Sequence, residues 1–314
     1  MDIVEGTDLK MYYHLRGAYF RKEFVRALDG VSLNVREGEI FGLVGETGSG
    51  KTTIARIMLG LIKPTSGSVK IEGTNIFSMG RKGLRQVRTK IQIIFQDPYS
   101  ALDPRFKIKQ ILEEPLKLNH IEYNDEDIKE VMENAGLKPV EDFLGKHPYQ
   151  LSGGQRQRVL IARAMVLRPK FLIADEPASM LDVSLKAGIL NYLKKINNEQ
   201  NTSMLVISHD IALASYLSQE IAVLYLGKIA ERASREEIVK NPLHPYTKIL
   251  IESVPELGRE IGDVPVSSNG LIHQEGQYGC SFYPRCQFAT DLCKFKEPIL
   301  KEISNGHYVA CHLY

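Results

Sequence analysis

Ile40-Phe41-Gly42-Leu43-Val44-Gly45-Glu46-Thr47-Gly48-Ser49-Gly50-Lys51-Thr52-Thr53-Ile54-Ala55-Arg56-Ile57-Met58 decides the fold of this chain. Its first residues form a short apolar run, which reads as a buried strand of a parallel sheet. Beyond the glycines, apolar residues at 54, 57, 58 and 61 recur at helical spacing. The connection matches G-x-x-x-x-G-K-[ST], and strand and helix flank it on the expected sides. Glycines at 45, 48 and 50 let successive N–H groups turn inward around phosphate oxygens. The helix starting near Lys51 points the positive end of its dipole at the same place. This predicts a nucleotide-phosphate cradle made of Gly45, Gly48, Ser49, Gly50, Lys51, Thr52 and Thr53. Lys51 would reach the β- and γ-phosphates, and Thr52 would hold Mg²⁺. The plainer alternative, an accidental Gly-rich turn, does not account for the strand and helix on either side.

Three more apolar runs, Ile91–Phe95, Phe171–Ala174 and Met204–Ile207, read as buried strands with helical stretches between them. The fold class expected is α/β with a mainly parallel sheet. Strand ends on one edge of such a sheet surround the ligand. Phe171-Leu172-Ile173-Ala174 runs into Asp175-Glu176, and alternation would point these carboxylates in different directions. Asp175 suits a hydrated Mg²⁺. Glu176 suits the base that orients water for in-line attack on a γ-phosphate. A strand simply ending in solvated acids is the alternative, and the upstream cradle weighs against it. His209 after the strand 204–207 is a candidate γ-phosphate contact, although a lone His is more often structural. Gln96 after Ile93-Ile94-Phe95 has the same geometry and is a candidate contact to Mg²⁺ or water. Leu151-Ser152-Gly153-Gly154-Gln155 precedes a strong helix, Arg156–Leu167. Ser152 can cap that helix and Gly153 and Gly154 expose N–H groups at its positive end, which makes a second anion site.

Composition bounds the rest. The 314 residues are 43% hydrophobic and 25% charged, which excludes wholesale disorder. Lys+Arg number 40 and Asp+Glu 38, a net charge of +2, which argues against a globally basic nucleic-acid binder. No apolar run approaches the roughly 18 residues that a bilayer span requires. The acidic start, Met1–Lys10, lacks the pattern of a signal peptide, so an intracellular protein is expected. Between Asp97 and His147 the texture turns amphipathic and charged, and a helical insertion is expected. After about Pro242 that α/β rhythm stops, and a small separate unit is expected. All four cysteines, Cys280, Cys286, Cys293 and Cys311, lie there. Read from the residues alone, they could hold Fe–S or tetrahedral Zn. Their clustering points to metal first; buried apolar thiols are the plainer alternative, and disulfides are disfavoured in a reducing compartment.

In combination, Gly45–Thr52, Gln96, Leu151–Gln155, Phe171–Glu176, Ser179–Asp182 and His209 resemble, in order and spacing, the ATP-binding-cassette ATPases over about residues 1–240. The resemblance implies a nucleotide-binding domain over 1–245 with a helical subdomain at about 97–165. It implies that Ser152, Gly153, Gly154 and Gln155 bind the γ-phosphate of an ATP held by a second ATPase subunit, homologous or identical. Asp182 resembles the aspartate that crosses that dimer interface, and Met180 stands where the family usually has Ala. Adenine would stack on an aromatic side chain before the cradle. Tyr13, Tyr19, Phe20 and Phe24 compete for that place, with Tyr19 or Phe20 favoured.

Pro242-Leu243-His244-Pro245-Tyr246-Thr247, Pro284-Arg285-Cys286 and Val309-Ala310-Cys311-His312 resemble the C-terminal extension of the ATPase subunits of oligopeptide and dipeptide importers. That resemblance implies an extension over 246–314 carrying a [4Fe–4S] cluster on the four cysteines. It also implies two separate transmembrane permease subunits, an extracytoplasmic substrate-binding protein acting through them, and a peripheral place on the cytoplasmic face of the membrane. ATP and Mg²⁺ would be the cofactors and di- or oligopeptides the cargo, and no nucleic-acid partner is expected. Oligosaccharides or nickel are alternative cargoes within that subfamily. A soluble cassette ATPase outside transport is a more distant alternative.

Overall fold

The computed structural model describes residues 1–16, 22–254 and 279–314. By internal packing it divides into two units. The first holds residues 1, 36–39 and 78–205, and the second holds 2–35, 40–77 and 206–314. The described strands are β1 (Asp2–Arg16), β2 (Lys22–Arg36), β3 (Ile40–Val44), β4 (Ser66–Ile71), β5 (Thr74–Asn75), β6 (Ile91–Ile94), β7 (Phe171–Asp175), β8 (Ser203–Ser208), β9 (Glu220–Tyr225), β10 (Lys228–Ser234), β11 (Lys301–Ser304) and β12 (His307–Val309). The boundary between the units falls inside β8.

In the first unit β6 and β7 pair in parallel, Ile91 opposite Phe171 and Ile94 opposite Ala174, with β8 next to β7. The expected helical stretch is present as the helices Pro98–Ala101, Ile108–Asn119, Asp125–Asn134 and Glu141–Leu144. Helix Ile108–Asn119 buries Ile108, Ile111, Leu112 and Leu116, one apolar stripe at helical spacing. Helix Asp125–Asn134 starts in a reciprocal cap, in which Asn124 accepts from the Asp127 N–H and Asp127 from the Asn124 N–H. It buries Ile128 and Met132. Helices Pro98–Ala101, Ile108–Asn119 and Asp125–Asn134 all pack on helix Gly153–Met165.

In the second unit one sheet runs in the order β2-β1-β4-β5, with β1 and β4 antiparallel and Val4 opposite Ile71. The register shifts between Thr7 and Lys10. Gly67 sits there at φ +93°, and a Cβ on it would lie 2.3 Å from the Asp8 carbonyl. Only glycine fits that position. The second sheet follows the order β11-β12-β10-β9-β3-β8. Strands β3 and β9 are parallel, with Val44 opposite Val223. All five residues of β3 are buried, as a continuous apolar run implies.

The stretch after Pro242 is less separate than its composition suggests. Strand β12 pairs with β10, Glu231 opposite Val309, so the end of the chain completes the edge of this sheet. Glu231 is fully buried. It accepts hydrogen bonds from the N–H groups of Leu243 and His244, each at 2.8 Å. Its Oε1 lies 2.7 Å from Nε2 of His307. A buried carboxyl group is tolerated only when its oxygens are hydrogen-bonded in this way. Behind it, the Tyr225, Tyr246 and Phe282 rings meet with centroids 4.7–5.5 Å apart. His244 caps helix Pro245–Glu252, its Nδ1 accepting the Tyr246 N–H at 3.0 Å. An acceptor nitrogen must be unprotonated, and burial pulls the His244 pKa down to about 4.

The unfolded chain therefore binds the His244 proton more readily than the folded chain between about pH 6.5 and 4. Stability should fall as pH is lowered through that window, by up to about 3 kcal/mol from this residue. His244→Asn keeps a capping oxygen and should flatten the slope of the unfolding midpoint against pH, measured by thermal melts. An unchanged slope would contradict the assignment.

Candidate functional site

In the second unit the cradle is built by close approach of the backbone. A Cβ on Gly45 would stand 2.2 Å from the Leu224 carbonyl, and one on Gly50 2.5 Å from the Ala27 carbonyl. Gly48 and Gly50 have φ of +85° and +111°. Helix Lys51–Met58 begins directly after the loop with no side-chain cap, and a helix N-terminus is the usual seat of an anion. Lys51 is 6% exposed. Its Nζ donates to the carbonyls of Gly45 at 2.6 Å and Glu46 at 2.9 Å, which holds its charge over the loop. Ser49 is buried, whereas Thr52 is exposed and Thr53 half-buried. His209 follows β8 and is exposed. The next residue, Asp210, caps helix Ile211–Leu217 by accepting from Ala212 and Leu213 at 2.8 and 3.2 Å.

In the first unit Asp175 ends β7 and is 5% exposed. Glu176 lies beyond the strand at φ +49°, the left-handed region. For a non-glycine residue this costs of order 1–3 kcal/mol and tends to occur at functional positions. Gln96 and Glu176, 80 positions apart in sequence, are brought together: the Gln96 amide donates to Glu176 Oε2 at 3.0 Å. Ser152 caps helix Gly153–Met165 reciprocally with Gln155, at 3.3 Å and 3.0 Å. Gly154 is buried, and a Cβ on it would stand 2.8 Å from Leu185. Gly153 borders Tyr99, whose ring lies under the Arg156 guanidinium at 4.3 Å. Asp182 caps the next helix, Val183–Gln200, accepting from Leu185 at 3.0 Å.

The four cysteines require a correction. The described residues contain no group of three or more His, Cys, Asp or Glu side chains able to hold a metal ion. Cys280, Cys286, Cys293 and Cys311 are free and half-buried, and Cys280 and Cys286 pack against the Tyr225–Tyr246–Phe282 core. Metal ligation needs thiolates. Burial instead raises the thiol pKa of Cys280 to about 11 and raises those of Cys286 and Cys311. The arrangement does not fit the iron–sulfur cluster that the resemblance implies. Tyr19 and Phe20 lie outside the described residues. Of the other aromatic side chains in that stretch, Tyr12 donates its hydroxyl to Asp29 at 2.7 Å, whereas Tyr13 is 38% exposed.

Sequence reading missed two residues that touch the cradle. Tyr246 accepts the Glu46 N–H at 2.9 Å, and Arg285 grips the Glu46 carboxylate with both terminal nitrogens at 2.8 and 2.9 Å. They lie 200 and 239 positions from Glu46, beyond any local pattern. Only the capping place of Tyr246 after His244-Pro245 carries a local signal.

Comparison with known proteins agrees with this geometry. A family model described as ABC transporter matches residues 28–179. A second, described as oligopeptide/dipeptide transporter, C-terminal region, matches residues 230–293. The oligopeptide transport ATP-binding protein AppF of Bacillus subtilis (strain 168) is 40% identical over 99% of this chain and 97% of its own length. Among solved structures, the post-hydrolysis dimer of the ATP-binding cassette MJ0796 bound to ADP and Pi matches with a TM-score of 0.66. It is 32% identical over 74% of this chain and 98% of that one. The cbiO1 protein of Clostridium perfringens, part of the cbiONQ transporter complex, matches with a TM-score of 0.65 and 25% identity over 76% of this chain and 91% of that one. With the α/β fold, the glycine cradle and the strand-end carboxylates in place, the chain belongs to the ATP-binding-cassette ATPases of the ABC transporter family.

Proposed function

We propose that this chain is the ATP-hydrolysing subunit of an importer that takes up di- and oligopeptides through separate permease subunits. The observation that carries this reading is the match to an oligopeptide transport ATP-binding protein along 99% of the chain. The C-terminal match over residues 230–293 agrees with it. Residues 1–245 are assigned as the nucleotide-binding domain, with the helical subdomain at about 97–165, and 246–314 as the extension.

In this reading Gly45, Gly48, Ser49, Gly50, Lys51, Thr52 and Thr53 hold the ATP phosphates. The Thr52 hydroxyl, the Asp175 carboxylate and the Gln96 amide are the hard oxygen donors that Mg²⁺ takes. Mg²⁺, when bound, neutralises charge on the phosphate oxygens. Glu176 orients the attacking water and accepts its proton, while its hydrogen bond from Gln96 fixes the carboxylate. His209 contacts the γ-phosphate. Ser152–Gln155 bind the ATP of a second ATPase subunit, and the dimeric MJ0796 cassette supports that arrangement. Tyr19 or Phe20 is assigned to adenine, with Tyr13 and Phe24 as the alternatives among the described residues.

The permease contact is assigned to a groove of about 480 Å³ in the first unit. Ile93, Phe95, Leu118 and Leu167 line it beside Arg85 and Arg88. Phe95 and Leu118 are 43% and 61% exposed, an apolar surface that a permease segment would cover. No helix among the described residues is long and apolar enough to cross a membrane. In this reading the chain sits peripherally on the cytoplasmic face of the membrane, and an extracytoplasmic substrate-binding protein acts through the permease.

Glu176→Gln should bind ATP normally in the assembled transporter yet lower turnover by about a hundredfold or more. Turnover like that of the unaltered protein would remove Glu176 as base. Lys51→Ala should weaken ATP binding about tenfold or more, as loss of a charge-assisted contact to phosphate predicts. Leu118→Glu should leave ATP binding intact and abolish co-purification with the permease subunits. Retained assembly would move the contact elsewhere.

A further inference from the structure

Glu46 puts a carboxylate into a loop that receives an anion. Its carboxylate stands one residue after Gly45, within the cradle that also contains Lys51 and Thr52. An uncompensated negative charge there would repel the phosphates of ATP. The structure compensates it from the far end of the chain. Arg285 Nη1 and Nη2 bond the two Glu46 carboxylate oxygens at 2.8 and 2.9 Å. This is the two-point fork that fixes both charge and orientation. Arg285 itself is held between aromatic faces, 5.9 Å from the Tyr225 ring centroid and 5.7 Å from that of Phe282. Phe282 belongs to the same buried cluster as Val44, the last residue of the strand that leads into the cradle. The Glu46 N–H is taken by Tyr246, so the main chain at this point is fixed by the C-terminal region as well.

We propose that Arg285 is a positioning residue for nucleotide: by neutralising and turning aside Glu46, the C-terminal extension makes the phosphate loop receptive to ATP. The proposal rests on the reading of Gly45–Thr53 as the phosphate site. It goes beyond that reading by making affinity depend on a residue of the extension that is not itself in the loop.

Local charge orders the variants. With both residues present the pair is neutral. Arg285→Ala leaves one negative charge, Glu46→Gln leaves one positive charge, and the double variant is neutral again. ATP affinity should follow the same order, with Glu46→Gln at least as tight as the unaltered protein and the double variant close to it. Arg285→Ala should be weaker by about tenfold, which is about 1.4 kcal/mol. Arg285→Lys keeps the charge and should stay within about threefold. The deficit of Arg285→Ala should shrink as salt is raised.

The test is a titration of each full-length variant with a fluorescent ATP analogue at low and high ionic strength, with Lys51→Ala alongside. Rescue of Arg285→Ala by Glu46→Gln, with a salt-dependent affinity deficit and an unchanged unfolding midpoint in Arg285→Ala, supports the proposal, because loss of a merely structural contact would lower the midpoint and would not follow the screening of charge. Failure of that rescue, or unchanged affinity in Arg285→Ala, overturns it. If Arg285→Ala does not fold, Glu46→Gln alone decides, since weaker binding in that variant contradicts the charge ordering. Normal binding by Lys51→Ala would instead show that the phosphate-site reading had failed.

Discussion

The structure depends on how closely the main chain can approach itself around residues 45–50. Gly45 lies against the Leu224 carbonyl and Gly50 against the Ala27 carbonyl, at distances that leave no room for a side-chain carbon. These contacts fix the loop against β9 and β2 and set the point from which helix Lys51–Met58 departs. Once this geometry is set, the amide groups of the loop and helix start can converge on one anion, which is what a triphosphate requires. Adding a methyl group at Gly45 or Gly50 would push a strand aside, so the demand for glycine is steric before it is chemical.

The first unit handles its chemistry by strain and capping. Glu176 leaves β7 in the left-handed region, and the Gln96 amide holds it there. Ser152 and Asp182 each satisfy a helix start, which keeps two polar turns ordered. The second unit handles burial by pairing. Glu231, fully enclosed, collects two main-chain N–H groups and His307, and thereby ties β10 to the end of the chain. The β11–β12 hairpin near the C terminus extends the sheet beyond β10.

Much of this was legible in the amino-acid order because the decisive signals are local. The run 40–44, the glycine spacing and the apolar runs at 91, 171 and 204 each specify an element within a few residues. The signal Leu151–Gln155 marked a capped helix start, which is present. What remained hidden depends on long separations. Strands β1, β2 and β4 mix polar and apolar residues and bury one face, so no continuous apolar run marks them. The fork between Glu46 and Arg285 spans 239 positions. The cysteines misled in the opposite way: their clustering and resemblance pointed to an iron–sulfur centre, whereas Cys280 and Cys286 pack against an aromatic core and burial favours the protonated thiol.

ATP hydrolysis by this chain is coupled to peptide uptake. The most direct measurement reconstitutes the chain with its permease subunits and binding protein in vesicles and follows a labelled oligopeptide and ATP together. Peptide should accumulate only when ATP is present, and hydrolysis should rise when peptide is supplied. ATP hydrolysis with no peptide movement, unchanged by peptide, would contradict it.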